Sequence, residues 1–148
     1  MQMTSTNRQA PAESTTERPH PAWLVLTAWF TLFEVGLLMR LGKLKTVQRT
    51  LERRAISPGG GCRSVADICN AIDFACVLYF KQVLCLQRSA ATALLLRRNG
   101  WEATMVIGVR SLPFRSHAWV EASGRVVNDK PYIRDIYRVL APVEQCIP

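Results

Sequence analysis

Three side chains in this sequence have the types that nucleophilic acyl transfer needs: Cys85, His117 and Asp129. A thiol can attack a carbonyl carbon, an imidazole can take and return the proton, and a carboxylate can hold the imidazole in one tautomer. The other histidine, His20, lies between Pro19 and Pro21 in a polar stretch unsuited to holding a reactive group. That leaves His117 as the imidazole to consider.

The elements that would position these residues can be read around them. Residues 85–98 place Leu86, Ala90, Ala93 and Leu94 at helical spacing, and Asn99-Gly100 supplies a stop. A cysteine in the first turn of such a helix lies near unpaired N–H groups and the positive end of the dipole, which favours thiolate over thiol. Arg88, one turn on, would add to that effect.

The following stretch is β-rich. Residues 103–109 contain Thr104, Val106, Ile107 and Val109, and residues 117–122 and 125–129 read as a hairpin across Ala122-Ser123-Gly124. A three-residue loop with glycine in its left-handed position is a common hairpin connection. It would pair Glu121 with Arg125, Trp119 with Val127, and His117 with Asp129. Opposed side chains on one face have Cβ atoms roughly 4.5–5.5 Å apart, within bonding reach for imidazole and carboxylate.

Taken in order, C-L-x-R-S opening a helix, the G-V-R strand end, P-F-x-x-H-A-W-V-E and G-R-V-V-N-D resemble the leader peptidase of lasso peptide biosynthesis. This is the B protein in the form without a fused recognition domain, within the transglutaminase-like superfamily. The resemblance spans about residues 62–140. It implies Cys85 as nucleophile, His117 as general base and acid, and Asp129 as the group that orients His117. It also implies an α+β fold: N-terminal helices, then a transglutaminase- or papain-like core whose Cys-bearing helix packs on a small antiparallel sheet. The implied substrate is the leader region of a ribosomally made precursor peptide. The implied partners are a separate leader-recognition protein and the lasso cyclase that uses the freed amine. No cofactor is implied.

Bulk properties bound the rest. At 148 residues the length suits one domain, and a hydrophobic fraction of 49% suits a globular one. Residues 1–21, rich in Thr, Ser, Pro and Glu, read as a disordered tail, and 22–148 as a single domain. The net charge of +8 invites a nucleic-acid reading. The basic residues are scattered through apolar periodic segments rather than gathered into a tract, so solvated helix faces explain them and no nucleic-acid partner is expected.

The five cysteines and the absence of a secretory signal in the sequence point to a reduced cytoplasm. Cys62, Cys69 and Cys76 recur every seven positions, but seven helical residues rise about 10.5 Å, too far for sulfurs to share one zinc. Cys69 and Cys76 read as small buried apolar residues, and no metal is expected. The glycine run at 59–61 lacks the Lys-Ser/Thr of a P-loop and reads as a linker.

Residues 22–41 form the strongest apolar block. Glu34 interrupts it and Arg40, Lys43 and Lys45 follow, so a buried or groove-lining helix is expected. Membrane-surface attachment or docking of a partner protein are the alternatives. Residues 43–55 continue as a basic amphipathic helix, and 57–61 break it. Ser64 and Asp67 fit a capping box before a helix carrying Val65, Ile68, Ile72, Ala75, Tyr79 and Val83. After Lys130-Pro131, Ile133, Ile136, Tyr137 and Leu140 read as core contacts.

Each candidate alone has a plainer explanation: a structural cysteine, a hydrogen-bonded histidine, a strand-end aspartate. Their weight is joint. The same three groups would also serve an acyltransferase with an amine acceptor, and a non-catalytic scaffold would use none of them. For the oxyanion, the backbone N–H of Cys85 is the first choice and Gln82 the second.

Overall fold

The computed structural model describes residues 21–42 and 63–140. The expected disordered tail with His20, the 43–55 helix, the 57–61 break, Cys62 and Cys146 lie outside the described residues. The elements in chain order are α1 (Ala22–Arg40), α2 (Val65–Val77), α3 (Cys85–Arg98), β1 (Ala103–Ser111), β2 (Phe114–Ala122), β3 (Arg125–Val126), α4 (Ile133–Ile136) and β4 (Arg138–Val139). The strands form one antiparallel sheet in the order β3-β2-β1-β4. This is an α+β arrangement, as expected.

α3 is the central helix. Ala90, Ala91, Ala93, Leu94, Leu95 and Leu96 are all buried, so it is apolar nearly all round. Such a helix must be covered on several sides: α1 and α2 pack on it, and β1 and β2 lie against it. Polar ties fix its ends. Arg88 pairs with Asp73 of α2 at 2.6 Å, and Arg98 pairs with Glu34 of α1 at 2.7 Å. Glu34, the charge that interrupts the apolar block, thus has a defined partner. Gln87 donates to the Leu32 carbonyl at 2.9 Å, an approach that Gly36 permits because a Cβ there would meet the amide at 2.7 Å.

α1 is only partly the buried helix expected. Leu24, Ala28, Leu32 and Val35 face the core, while Trp23, Leu26, Phe30, Phe33 and Leu37 are exposed. By length and composition it is apolar enough to cross a membrane. α2 begins as read: Ser64 Oγ accepts the Asp67 N–H at 3.1 Å. It ends at Val77, sooner than the helical spacing through Tyr79 and Val83 suggested. Those residues sit in a connecting segment where the Tyr79 and Phe80 rings lie 5.7 and 6.3 Å from Trp29. Aromatic and β-branched residues hold a helix weakly, so packing decides. Cys69 is buried as expected, but Cys76 only partly so.

The hairpin register differs from expectation. β2 and β3 pair Ala122 with Arg125 and Glu121 with Val126, so the loop is two residues, not three. Ser123 and Gly124 both have positive φ, at 50° and 75°, the requirement of a tight hairpin turn matching strand twist. Glu121 therefore does not face Arg125. It binds Arg134 of α4 through both carboxylate oxygens instead. Ile133 is buried, but Ile136 and Leu140 are exposed rather than core residues.

One glycine requires its missing side chain. Gly108 stands opposite His117 in the β1–β2 ladder, and a Cβ there would lie 2.8 Å from the Trp119 ring and from Tyr137 Cβ. Neither obstacle can swing away, since Trp119 is fully buried. Gly108→Ala should therefore lower stability by about 1–3 kcal/mol through overpacking. Urea unfolding checks this, and an unchanged midpoint would contradict the close packing of this face.

Candidate active site

Strand alternation divides β2 into two faces. Val120 and Ala122 join the apolar core with α3, and Ala118 is buried on that face. His117, Trp119 and Glu121 project to the other, which Arg134 and Tyr137 reach before the chain joins the sheet edge as β4. The Tyr137 ring lies 5.4 Å from that of His117, and the Trp119 ring lies 6.4 Å from it. Trp119 Nε1 donates to Glu121 Oε1 at 2.8 Å. The Arg134 hydrogen bonds, ahead of the Trp119 bond, hold the Glu121 carboxyl below its usual range despite its partial burial. The imidazole thus has two aromatic neighbours, one of them anchored by an ionised carboxylate.

His117 Nε2 and Asp129 Oδ2 are 2.6 Å apart, both side chains being largely covered. The bond expected from the sequence is present, but not for the reason given there. In the observed register a continued ladder would set Lys130, not Asp129, opposite His117. The ladder instead stops after Val126. In a further pair, Val120 and Val127 would exchange two backbone bonds. Val127 donates to the Val120 carbonyl at 3.0 Å, while the Val120 N–H goes to the Asn128 side chain at 2.7 Å. The chain departs from the strand at this point, and Asp129 reaches the imidazole from a turn.

Burial raises the Asp129 pKa, but the His117 bond, the Lys130 N–H at 2.7 Å and the charges of His117 and Arg88 together hold it below the ordinary carboxylate range. An ionised carboxylate only accepts, so the proton between the two groups belongs to His117 Nε2. In the neutral ring Nδ1 is then left with its lone pair, as an acceptor.

Cys85 is the first residue of α3 and is partly exposed. Among the described residues its sulfur forms no hydrogen bond with His117. The structure therefore joins two of the three candidates directly and sets the third in the first turn of the helix packed on β2. Arg88, expected to act on Cys85, is paired with Asp73, and its charge extends to Asp129. Gln82 is exposed, and nothing in its surroundings fixes its direction. By contrast, burial first, with Asp73 adding to it, pushes the Cys69 thiol up to about 11.

Sequence reasoning gave no role to Ser89 and Asn128, although both stand in the motifs C-L-x-R-S and V-V-N-D. Ser89 Oγ donates to the Ala118 carbonyl at 2.8 Å, and Asn128 Nδ2 donates to Ser89 Oγ at 3.0 Å. Both side chains are buried. The available signal was their place beside other motif residues: Ser89 follows Arg88 in C-L-x-R-S, and Asn128 precedes Asp129 in V-V-N-D.

A family model described as the transglutaminase-like superfamily matches residues 30–141. The chain belongs to this superfamily. McjB of Escherichia coli, the microcin J25-processing protein, is 46% identical over 59 residues, covering 40% of this chain and 28% of McjB. The match thus spans a little over a quarter of that relative. Together the two matches bear out the resemblance to the B proteins of lasso peptide biosynthesis. No solved structure matches the chain.

Two outcomes follow for this transglutaminase-like site. Because the folded pKa of Asp129 is depressed, its ionised form stabilises the fold above the ordinary aspartate value, and that contribution is lost as pH falls through the folded value. The stability gap between the wild type and Asp129→Asn should therefore close on acidification below about pH 4; urea titrations at several pH values measure it, and a gap that widens there would contradict the assignment. Native-state alkylation followed by peptide mass spectrometry should modify Cys85 well before buried Cys69.

Proposed function

We propose that this chain is a cysteine peptidase that removes the leader from a ribosomally made lasso precursor peptide. The observation that carries the reading is the His117–Asp129 bond of 2.6 Å, on a strand packed against the helix that begins with Cys85. Likeness to a protein named for processing microcin J25 supports the substrate class.

The chemistry proceeds through an acyl-enzyme. His117 Nδ1 takes the Cys85 proton as the sulfur attacks the carbonyl carbon of the last leader residue. This requires the sulfur and Nδ1 to close to hydrogen-bond distance, a contact that catalytic groups often complete only with substrate bound. The backbone N–H of Cys85, among the unpaired donors of the first helical turn, is the nearest donor for the oxyanion. Collapse breaks the C–N bond, and the imidazolium gives its proton to the departing amine of the core peptide. Water then attacks the thioester, giving up a proton to His117, and the leader leaves as a carboxylic acid while Cys85 recovers its thiol. Asp129 holds the ring in one tautomer and balances its transient charge.

The freed amine is the group a lasso cyclase would join to an acidic side chain. A separate leader-recognition protein would present the precursor, and the cytoplasm is the compartment in which Cys85 stays reduced. The exposed apolar stripe of α1 is available for a protein or membrane-surface contact.

Incubation of the chain and its presumed recognition protein with precursor should give one cut, read as leader and core masses. Cys85→Ala and His117→Ala should each reduce the rate by at least roughly a thousandfold. A product lighter by ammonia, with a new amide and no cut, would instead identify an acyltransferase. Full activity in Cys85→Ala would overturn both.

A further inference from the structure

We propose that Ser89 and Asn128 are positioning residues, a buried polar tie that fixes Cys85 relative to His117 and Asp129; this rests on the cysteine-peptidase reading. Each member of the tie adjoins one member of the site. Ser89 lies one helical turn beyond Cys85, its acceptor Ala118 follows His117, and Asn128 precedes Asp129.

The proton pattern allows one arrangement. The Val120 N–H must donate, and Asn128 Oδ1 receives it at 2.7 Å. That turns the amide so that Nδ2 donates to Ser89 Oγ at 3.0 Å, and leaves the single hydroxyl proton for the Ala118 carbonyl at 2.8 Å. Ala118 and Val120 are two residues apart, so their backbone groups point to the same edge of β2, the edge β3 no longer covers. Both freed groups are therefore satisfied by side chains, one from α3 and one from the turn bearing Asp129. Ser89 is 1% exposed and Asn128 6%, so water does not compete for these bonds. An apolar contact of the same volume would hold α3 against the sheet but would tolerate sliding along it. Directional bonds do not, and a shift of about 1 Å at a reacting group can cost a hundredfold in rate.

The test compares the full chain with Ser89→Ala, which deletes one oxygen, and Asn128→Asp, which keeps the acceptor for Val120 but loses the donor to Ser89. Steady-state cleavage should show kcat lower by roughly ten- to a hundredfold with KM little changed, at a temperature where circular dichroism shows both variants folded. In parallel, iodoacetamide labelling of Cys85 across pH is followed in these variants and in His117→Ala. Both should shift the labelling profile in the same sense as His117→Ala. If His117→Ala alters the profile and the other two do not, or if they lower only the melting temperature and leave kcat intact, the positioning role is wrong while the peptidase reading stands. If His117→Ala leaves the profile unchanged, the coupled Cys–His site fails and the tie loses its purpose with it.

Discussion

The constraint on which this site depends is the point where the β2–β3 ladder ends. Two pairs after the turn, backbone pairing gives out, and the next donor and acceptor on that edge of β2 would be left without partners in a buried place. Unpaired buried groups cost on the order of 1–3 kcal/mol each, so something must replace the missing strand. Asn128 and Ser89 do so. With the strand gone, the segment at Asp129 turns to reach His117, and Ser89 of α3 reaches the same edge of β2. One early end to a hairpin thus brings three separate parts of the chain to one place.

The rest of the fold holds that place rigid. α3 is enclosed by α1, α2 and the sheet, and ion pairs to Asp73 and Glu34 secure it near each end. On the far side of the sheet, Arg134 of α4 and Tyr137 just after it reach the face that carries His117. Arg134 secures Glu121, Glu121 secures the Trp119 indole, and the absent side chain of Gly108 lets that ring lie close to the ladder. Among the described residues the imidazole has one polar partner, Asp129, at Nε2, and Nδ1 bonds none of them. That division of labour between its two nitrogens is what a proton shuttle needs.

Local signals in the sequence carried far where they had a strict physical cause. The cap at Ser64 and the stop at Asn99-Gly100 follow from backbone groups that must find partners, whereas the helix that starts at Cys85 has no side-chain cap and was legible from its apolar spacing. The strand pattern around His117 was equally legible. The register was not, because Ala122-Ser123-Gly124 reads as a three-residue loop as easily as Ser123-Gly124 reads as a two-residue one. The His117–Asp129 contact was anticipated through pairing that does not occur, and survives because a turn replaces the ladder. Ser89 and Asn128 were hidden for a related reason: their function exists only where two distant segments meet. The early end of α2 reflects ring packing against Trp29, which no local pattern encodes.

The most direct measurement of the central claim is capture of the covalent intermediate. Precursor, recognition protein and enzyme are mixed, quenched in acid within the first turnover, and the intact chain is weighed and mapped. The account predicts an added leader-sized acyl group on the peptide containing Cys85, released by hydroxylamine as a thioester should be. An acyl group mapped to any other residue, or the same cut made by Cys85→Ala, would contradict it.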